Sequence, residues 1–160
     1  MGTQIVQNSY QSEIDQIVGD LFRTMLGTDA SPTEEEPPLG EEVITSVIAF
    51  AGEWKGDLVL ECHRTQAHSF AKRFLQSEDI DESSEDVPST IAELANIIAG
   101  NLKVVLPTGV NMGTPSTIEG KDYTVRICGG TTLCKRAFVT DAGAFLLRLI
   151  EAHPHMDGKR

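Results

Sequence analysis

From residue 9 to residue 27, SYQSEIDQIVGDLFRTMLG, apolar side chains return at Ile14, Ile17, Val18, Leu21 and Met25 or Leu26. Spacing of three and four residues predicts an amphipathic helix, with Gly27 as its stop. A polar, proline- and acid-rich stretch follows, TDASPTEEEPPLGEE, which reads as an exposed loop. The period then changes. EVITSVIAFAGEWKGDLVLEC holds two β-rich runs around a glycine-flanked turn and predicts a hairpin. In RTQAHSFAKRFLQ the positions Ala67, Phe70, Ala71, Phe74 and Leu75 restore the helical period.

SEDIDESSED carries six acids in ten residues and reads as solvated. It leads into a third helix, expected from Pro88, where proline suits a first turn, to about Leu106. The acids lie at the positive end of that helix dipole. YTVRIC, TLCKRAFVT and GAFLLRLIEA then read as strands separated by GG and DAG turns, and HPHMDGKR as a frayed tail. Three helices interleaved with at least five strands, mostly joined as hairpins, predict an α+β fold around one largely antiparallel sheet. The expected organisation is a single domain over residues 1–160, with its core at about 10–150 and a flexible tail after about 152.

Composition narrows the function. The 160 residues carry 24 acids against 13 bases, a net charge of −11, which lacks the basic footprint of a nucleic-acid binder and disfavours anionic membrane surfaces. No apolar run approaches the ~20 residues of a membrane span, and MGTQIVQNSY has neither the basic nor the apolar region of a signal peptide. The expectation is a cytoplasmic protein. Cys62, Cys128 and Cys134 form no CxxC pair and read as reduced structural thiols. Cys62, His63 and His68 fit no common zinc spacing, so no metal site is expected; CGGTTLC lacks the lysine and spacing of a phosphate loop. Trp54 reads as a half-buried anchor in the hairpin turn, and Ser89, without an evident histidine partner, is a poor candidate nucleophile.

The third helix holds the candidate chemistry. At roughly 100° per residue, Ile91, Leu94, Ala95, Ile98, Leu102 and Val105 cluster between about 140° and 240° from Ser89. That stripe is the core contact. Glu93, Asn96 and Gly100 fall within about 60° of one another on Ser89's side. A solvated face would explain such a stripe, but Gly100 costs a helix interior about 1 kcal/mol relative to alanine. The face is also sparsely charged, flanked by Ala92, Ile97, Ala99 and Val104. A flat surface of small residues with one carboxylate and one amide reads as a docking face.

Ser-xxx-Glu-xx-Asn-xxx-Gly, here Ser89, Glu93, Asn96 and Gly100, resembles the signature helix of the CheC/CheX chemotaxis phosphatases. GEWKGDLVLE resembles the family's hairpin, AHSFAKRFL the helix after it, and TPSTIEGKDY the segment after the signature helix, so the likeness spans roughly residues 10–150. It implies hydrolysis of the aspartyl phosphate on a CheY-like response-regulator receiver. Asn96 would orient the attacking water and Glu93 would hold the receiver's active-site lysine. Gly100 and Ser89 would admit the partner closely, and Mg²⁺ would belong to the receiver, leaving this chain without a cofactor of its own. The first helix reads Ser9-xxx-Glu13-xx-Gln16-xxx-Asp20, with glutamine and aspartate where a second motif copy would have asparagine and glycine. It therefore reads as structural, and one active helix resembles the CheX branch, which implies a homodimer formed through the sheets. The alternatives are a receiver-binding module without catalysis and a structural subunit of a sensory or flagellar assembly.

Overall fold

The computed structural model describes residues 10–36, 42–121, 127 and 129–153. Among them are three α-helices, α1 (Gln11–Leu21), α2 (Arg64–Leu75) and α3 (Asp86–Leu102). They lie with one sheet of seven strands: β1 (Ser31–Thr33), β2 (Glu42–Gly52), β3 (Gly56–His63), β4 (Val110–Met112), β5 (Ser116–Lys121), β6 (Gly130–Thr140) and β7 (Gly143–Ala152). The order is β1-β6-β7-β3-β2-β4, with β5 also on β2, and every pairing is antiparallel. The expected α+β fold with a largely antiparallel sheet is the one observed.

Alternation along the strands makes the core. Ile44, Ile48 and Phe50 of β2, Leu58, Leu60 and Cys62 of β3, and Phe145, Leu147 and Leu149 of β7 point to one face, where the helices lie over them. From the helices, Ile14 and Val18, Phe70 and Ala71, and Ile91, Leu94 and Ile98 close the same cluster. Phe22 stacks on Phe145 at 4.9 Å between ring centroids and meets Phe70 edge-on at 5.4 Å, so aromatic packing joins all three layers of contact. Polar links fix the ends. Arg136 of β6 donates from Nε and Nη2 to the two carboxylate oxygens of Asp15 on α1, both at 2.8 Å. Asp141, in the β6–β7 turn, accepts from Thr28 Oγ1 at 2.6 Å and from Arg73 Nη2 at 3.2 Å.

Several expectations need correction. The segment read as a loop contains β1, a three-residue edge strand paired with Ala137–Val139. An edge strand needs few ladder bonds, so Pro32 is compatible with it. The chain after the third helix contains β4 and β5, neither of which alternates strongly in sequence; both owe their form to β2. The first helix is α-helical only to Leu21 and widens to a π-helix over Phe22–Leu26, ending as expected at Gly27, whose φ is 67°. The third helix starts two residues before Pro88 and ends at Leu102, not Leu106; the next turn tightens, with Val105 N donating to Leu102 O at 3.0 Å. The expected strand YTVRIC, apart from Ile127, lies outside the described residues, as do Cys128, Ser9 and the tail after His153.

Candidate functional site

Helix α3 packs its apolar stripe on β2 and α2, with α1 alongside. Ile91, Leu94, Ala95, Ile98 and Leu102 are each at most 1% exposed, as the periodicity predicts. The acidic lead-in enters through Asx- and serine-type turns: Asp86 N donates to Ser84 Oγ at 3.0 Å, and Thr90 Oγ1 returns to Asp86 O at 2.8 Å. Ile80 alone in that lead-in is buried, and the imidazole of His68 bonds its carbonyl at 2.5 Å. The helix is thus held at its start, its buried stripe and its tightened last turn. Its outer face is left to solvent.

That face carries all four singled-out residues. Ser89, Glu93 and Gly100 are exposed, and Asn96 is half-buried. The Glu93 carboxylate and the Asn96 carboxamide make no hydrogen bond to any described residue, although Asn101, a turn later, bonds Ile97 O at 2.9 Å. A Cβ built on Gly100 meets nothing within 4 Å, and the residue is helical, so the fold itself gives no reason for a glycine there. Ala99, expected at the edge of this face, is instead fully buried, whereas Ile97 stays half-exposed.

Among the described residues, none of the main surface hollows is built from these groups. The main surface hollows lie elsewhere, one beside Gln11, Lys135 and Arg136 and one of about 530 Å³ beside Trp54, Lys55 and Glu151, and none is lined by Ser89, Glu93, Asn96 or Gly100. A small substrate needs a pocket that removes it from water, so a convex helix face suits a macromolecular one. An amide can orient water through its donor and acceptor but takes no proton, so Asn96 can position a reactant, while a proton would have to pass to the Glu93 carboxylate or to solvent.

The residues set aside in the sequence take structural places. His63 caps α2 through Nδ1, which accepts from Thr65 N at 3.0 Å. Trp54 is more buried than expected, at 8% exposure, and donates Nε1–H to Glu151 at 2.9 Å. Burial pushes the Cys62 thiol far up and that of Cys134 up to about 11, with Arg136 opposing the rise at Cys134, so neither offers a thiolate. Among the described residues no cluster of three His, Cys, Asp or Glu could hold a metal, and no helix is long and apolar enough to cross a membrane. On α1, Glu13, Gln16 and Asp20 are also exposed, but Asp20 projects a carboxylate bonded to Arg23 at 3.2 Å where α3 has bare Gly100.

Three helices on a seven-stranded antiparallel sheet make a CheC/CheX-like fold. A sequence model of the family described as chemotaxis phosphatase CheX matches residues 44–138, more than half of the chain. The chain belongs to this family. Solved structures agree in fold: CheX from Vibrio vulnificus superposes at a TM-score of 0.73 with 19% identity, over 89% of this chain and 96% of that one. A CheC-like superfamily protein from Shewanella sp. PV-4 gives 0.74 and 19% over 89% and 96%. CheX in a CheX–CheY–BeF3–Mg²⁺ complex from Borrelia burgdorferi gives 0.71 and 19% over 91% and 99%. No curated protein sequence matches significantly.

Proposed function

We propose that this protein is a phosphatase acting on the aspartyl phosphate of a CheY-type receiver, through the outer face of α3. The supporting observation is Gly100: an exposed, helical glycine that no neighbour requires, one turn beyond an unbonded carboxylate and an unbonded amide. A helix face kept bare at a cost of about 1 kcal/mol fits one on which a second molecule sits. The solved relative bound to CheY, with beryllofluoride standing for the phosphoryl group, supports a receiver as that molecule.

In this reading Asn96 holds a water in line with phosphorus, accepting a hydrogen bond from it and leaving a lone pair directed at the phosphoryl group. The water oxygen bonds phosphorus as the bond to the receiver's aspartate oxygen breaks. Aspartate carboxylate and inorganic phosphate result, with the water's protons passing to phosphate and solvent. Glu93 holds the receiver's active-site lysine. The Mg²⁺ sits in the receiver's own site, and this chain contributes position and no metal ligand. Phosphoryl transfer depends mainly on position and charge stabilisation, which is what such a pair supplies. Ser89 and Gly100 provide the close approach. Family likeness extends the proposal to a cytoplasmic homodimer joined through its sheets, which sedimentation at micromolar concentration would test.

The deciding experiment follows decay of a phosphorylated CheY-type receiver with a tenth of an equivalent of this protein. Accelerated decay over many turnovers establishes an enzyme. Tight binding without turnover would make the protein a receiver-binding module and overturn the phosphatase reading.

A further inference from the structure

We infer that Val104, with Val105 beside it, is the apolar anchor that seats the receiver on α3, setting how tightly the partner is held and not how fast it is hydrolysed. The inference rests on the proposed receiver-directed role of the same helix. Val104 is 82% exposed, the most exposed of the large apolar residues described, and Val105, expected in the core stripe, is 42% exposed. Their neighbours on either side, Leu102 and Leu106, are buried. The tightened turn after Leu102 turns both valines outward, with Val104 N donating to Asn101 O at 3.3 Å.

A single exposed valine needs no explanation. This one is continuous with the candidate site: Val104 follows Gly100 by four residues, in the tightened turn that ends the helix carrying Glu93 and Asn96. Ile97, half-exposed, flanks the stripe. Exposed glycine, exposed valine and half-exposed isoleucine thus gather at the C-terminal end of the helix that carries Glu93 and Asn96. Charge identifies its occupant. Lys103, also exposed, is the only Lys or Arg between Arg73 and Lys121 in a chain of net charge −11. An anionic partner, as a phosphorylated receiver is at its phosphoryl site, meets an exposed cation here. A lysine after a helix C-terminus also complements the helix dipole, which is why the valine and not the lysine carries the test.

The test uses the full-length protein with a CheY-type receiver, in two readings. Steady-state dephosphorylation compares wild type, Val104→Ser and Val104→Asp, and calorimetry measures Kd for the receiver held with beryllofluoride and Mg²⁺. A valine fully covered at an interface is worth roughly ten- to hundredfold in affinity. The expected result is a KM and a Kd raised about tenfold or more in Val104→Asp, less in Val104→Ser, with kcat within about twofold of wild type. An unchanged Kd in a variant of unaltered circular dichroism and Tm overturns the anchor, while turnover by the wild type leaves the phosphatase reading standing. A loss confined to kcat also overturns it. Weakened binding by Val104→Asp, where wild type binds without turnover, would uphold the anchor and refute the phosphatase. A wild type that neither binds nor dephosphorylates refutes both.

Discussion

Replacing Gly100 separates what the fold needs from what the surface is for. The residue is exposed and helical, and beyond its own stretch of helix backbone nothing lies within 4 Å of the place a Cβ would occupy. Gly100→Ala therefore adds a methyl group to open space and removes the backbone entropy that glycine loses on folding. The expected change is a gain of about 0.5–1 kcal/mol in stability. For a chain of this length that is a Tm rise of about 1–4 °C. Function should move the other way. A partner lying against bare helix backbone must retreat from any side chain placed there, and Gly100→Leu should weaken receiver binding by roughly 1–3 kcal/mol, about five- to hundredfold in Kd. Urea denaturation and calorimetry against a beryllofluoride-held receiver read the two effects independently. A Gly100→Ala variant less stable than wild type would mean that the glycine serves the fold. A Gly100→Leu variant binding as wild type would mean that nothing approaches this face.

Other outcomes are equally definite. Asn96→Ala should lose about 10²-fold or more in turnover with an unchanged melting curve, since a positioned catalytic group is typically worth 10²–10⁴; a wild-type rate removes the amide from the mechanism. Burial holds the Asp57 carboxyl above its ordinary value of 3.8. A raised folded pKa means that ionisation opposes folding, a penalty present above the folded pKa and gone below the unfolded one. Asp57→Asn should therefore be more stable than wild type in urea at pH 7, with the gap closing below about pH 3; a gap that widens on acidification would refute the assignment. Native protein carrying Cys128→Ser should show no fast-reacting thiol, because Cys62 and Cys134 are at most 1% exposed, and should release two on unfolding. A thiol titrating in the native variant would contradict the packing of β3 or β6.

Strong periodicity survived into the structure almost unchanged. The hairpin at 42–63, the helix at 64–75 and the last two strands were legible because each buries a full alternating or helical face of its own. What was not legible lacks such a face. Ser31–Thr33 and Val110–Met112 are three residues long, and Ser116–Lys121 holds one large apolar residue, so their strand character comes from partners distant in sequence. The end of α3 misled for the opposite reason. Leu106 keeps the helical period and is buried, yet the backbone reaches it through a tightened turn that turns Val105 outward. Of the candidate site, the placement of Ser89, Glu93, Asn96 and Gly100 on one outer face was readable from spacing alone. That the face makes no internal bonds and that Gly100 meets no neighbour are tertiary facts, invisible in a string of letters. The exposure of Val104 is another.

The convexity of that face has a consequence for selectivity inside a cell. Free acyl phosphates are close chemical relatives of an aspartyl phosphate, and an enzyme with a cavity would have to be shaped to keep them out. None of the main hollows among the described residues is lined by Glu93 or Asn96, so a small metabolite would meet only an exposed carboxylate and an amide there. In the proposed function, half of the reaction centre would arrive with the partner and depart with it. Discrimination between a signalling protein and a metabolite would then need no filter, because the proposed machinery would be complete only while the two molecules touch.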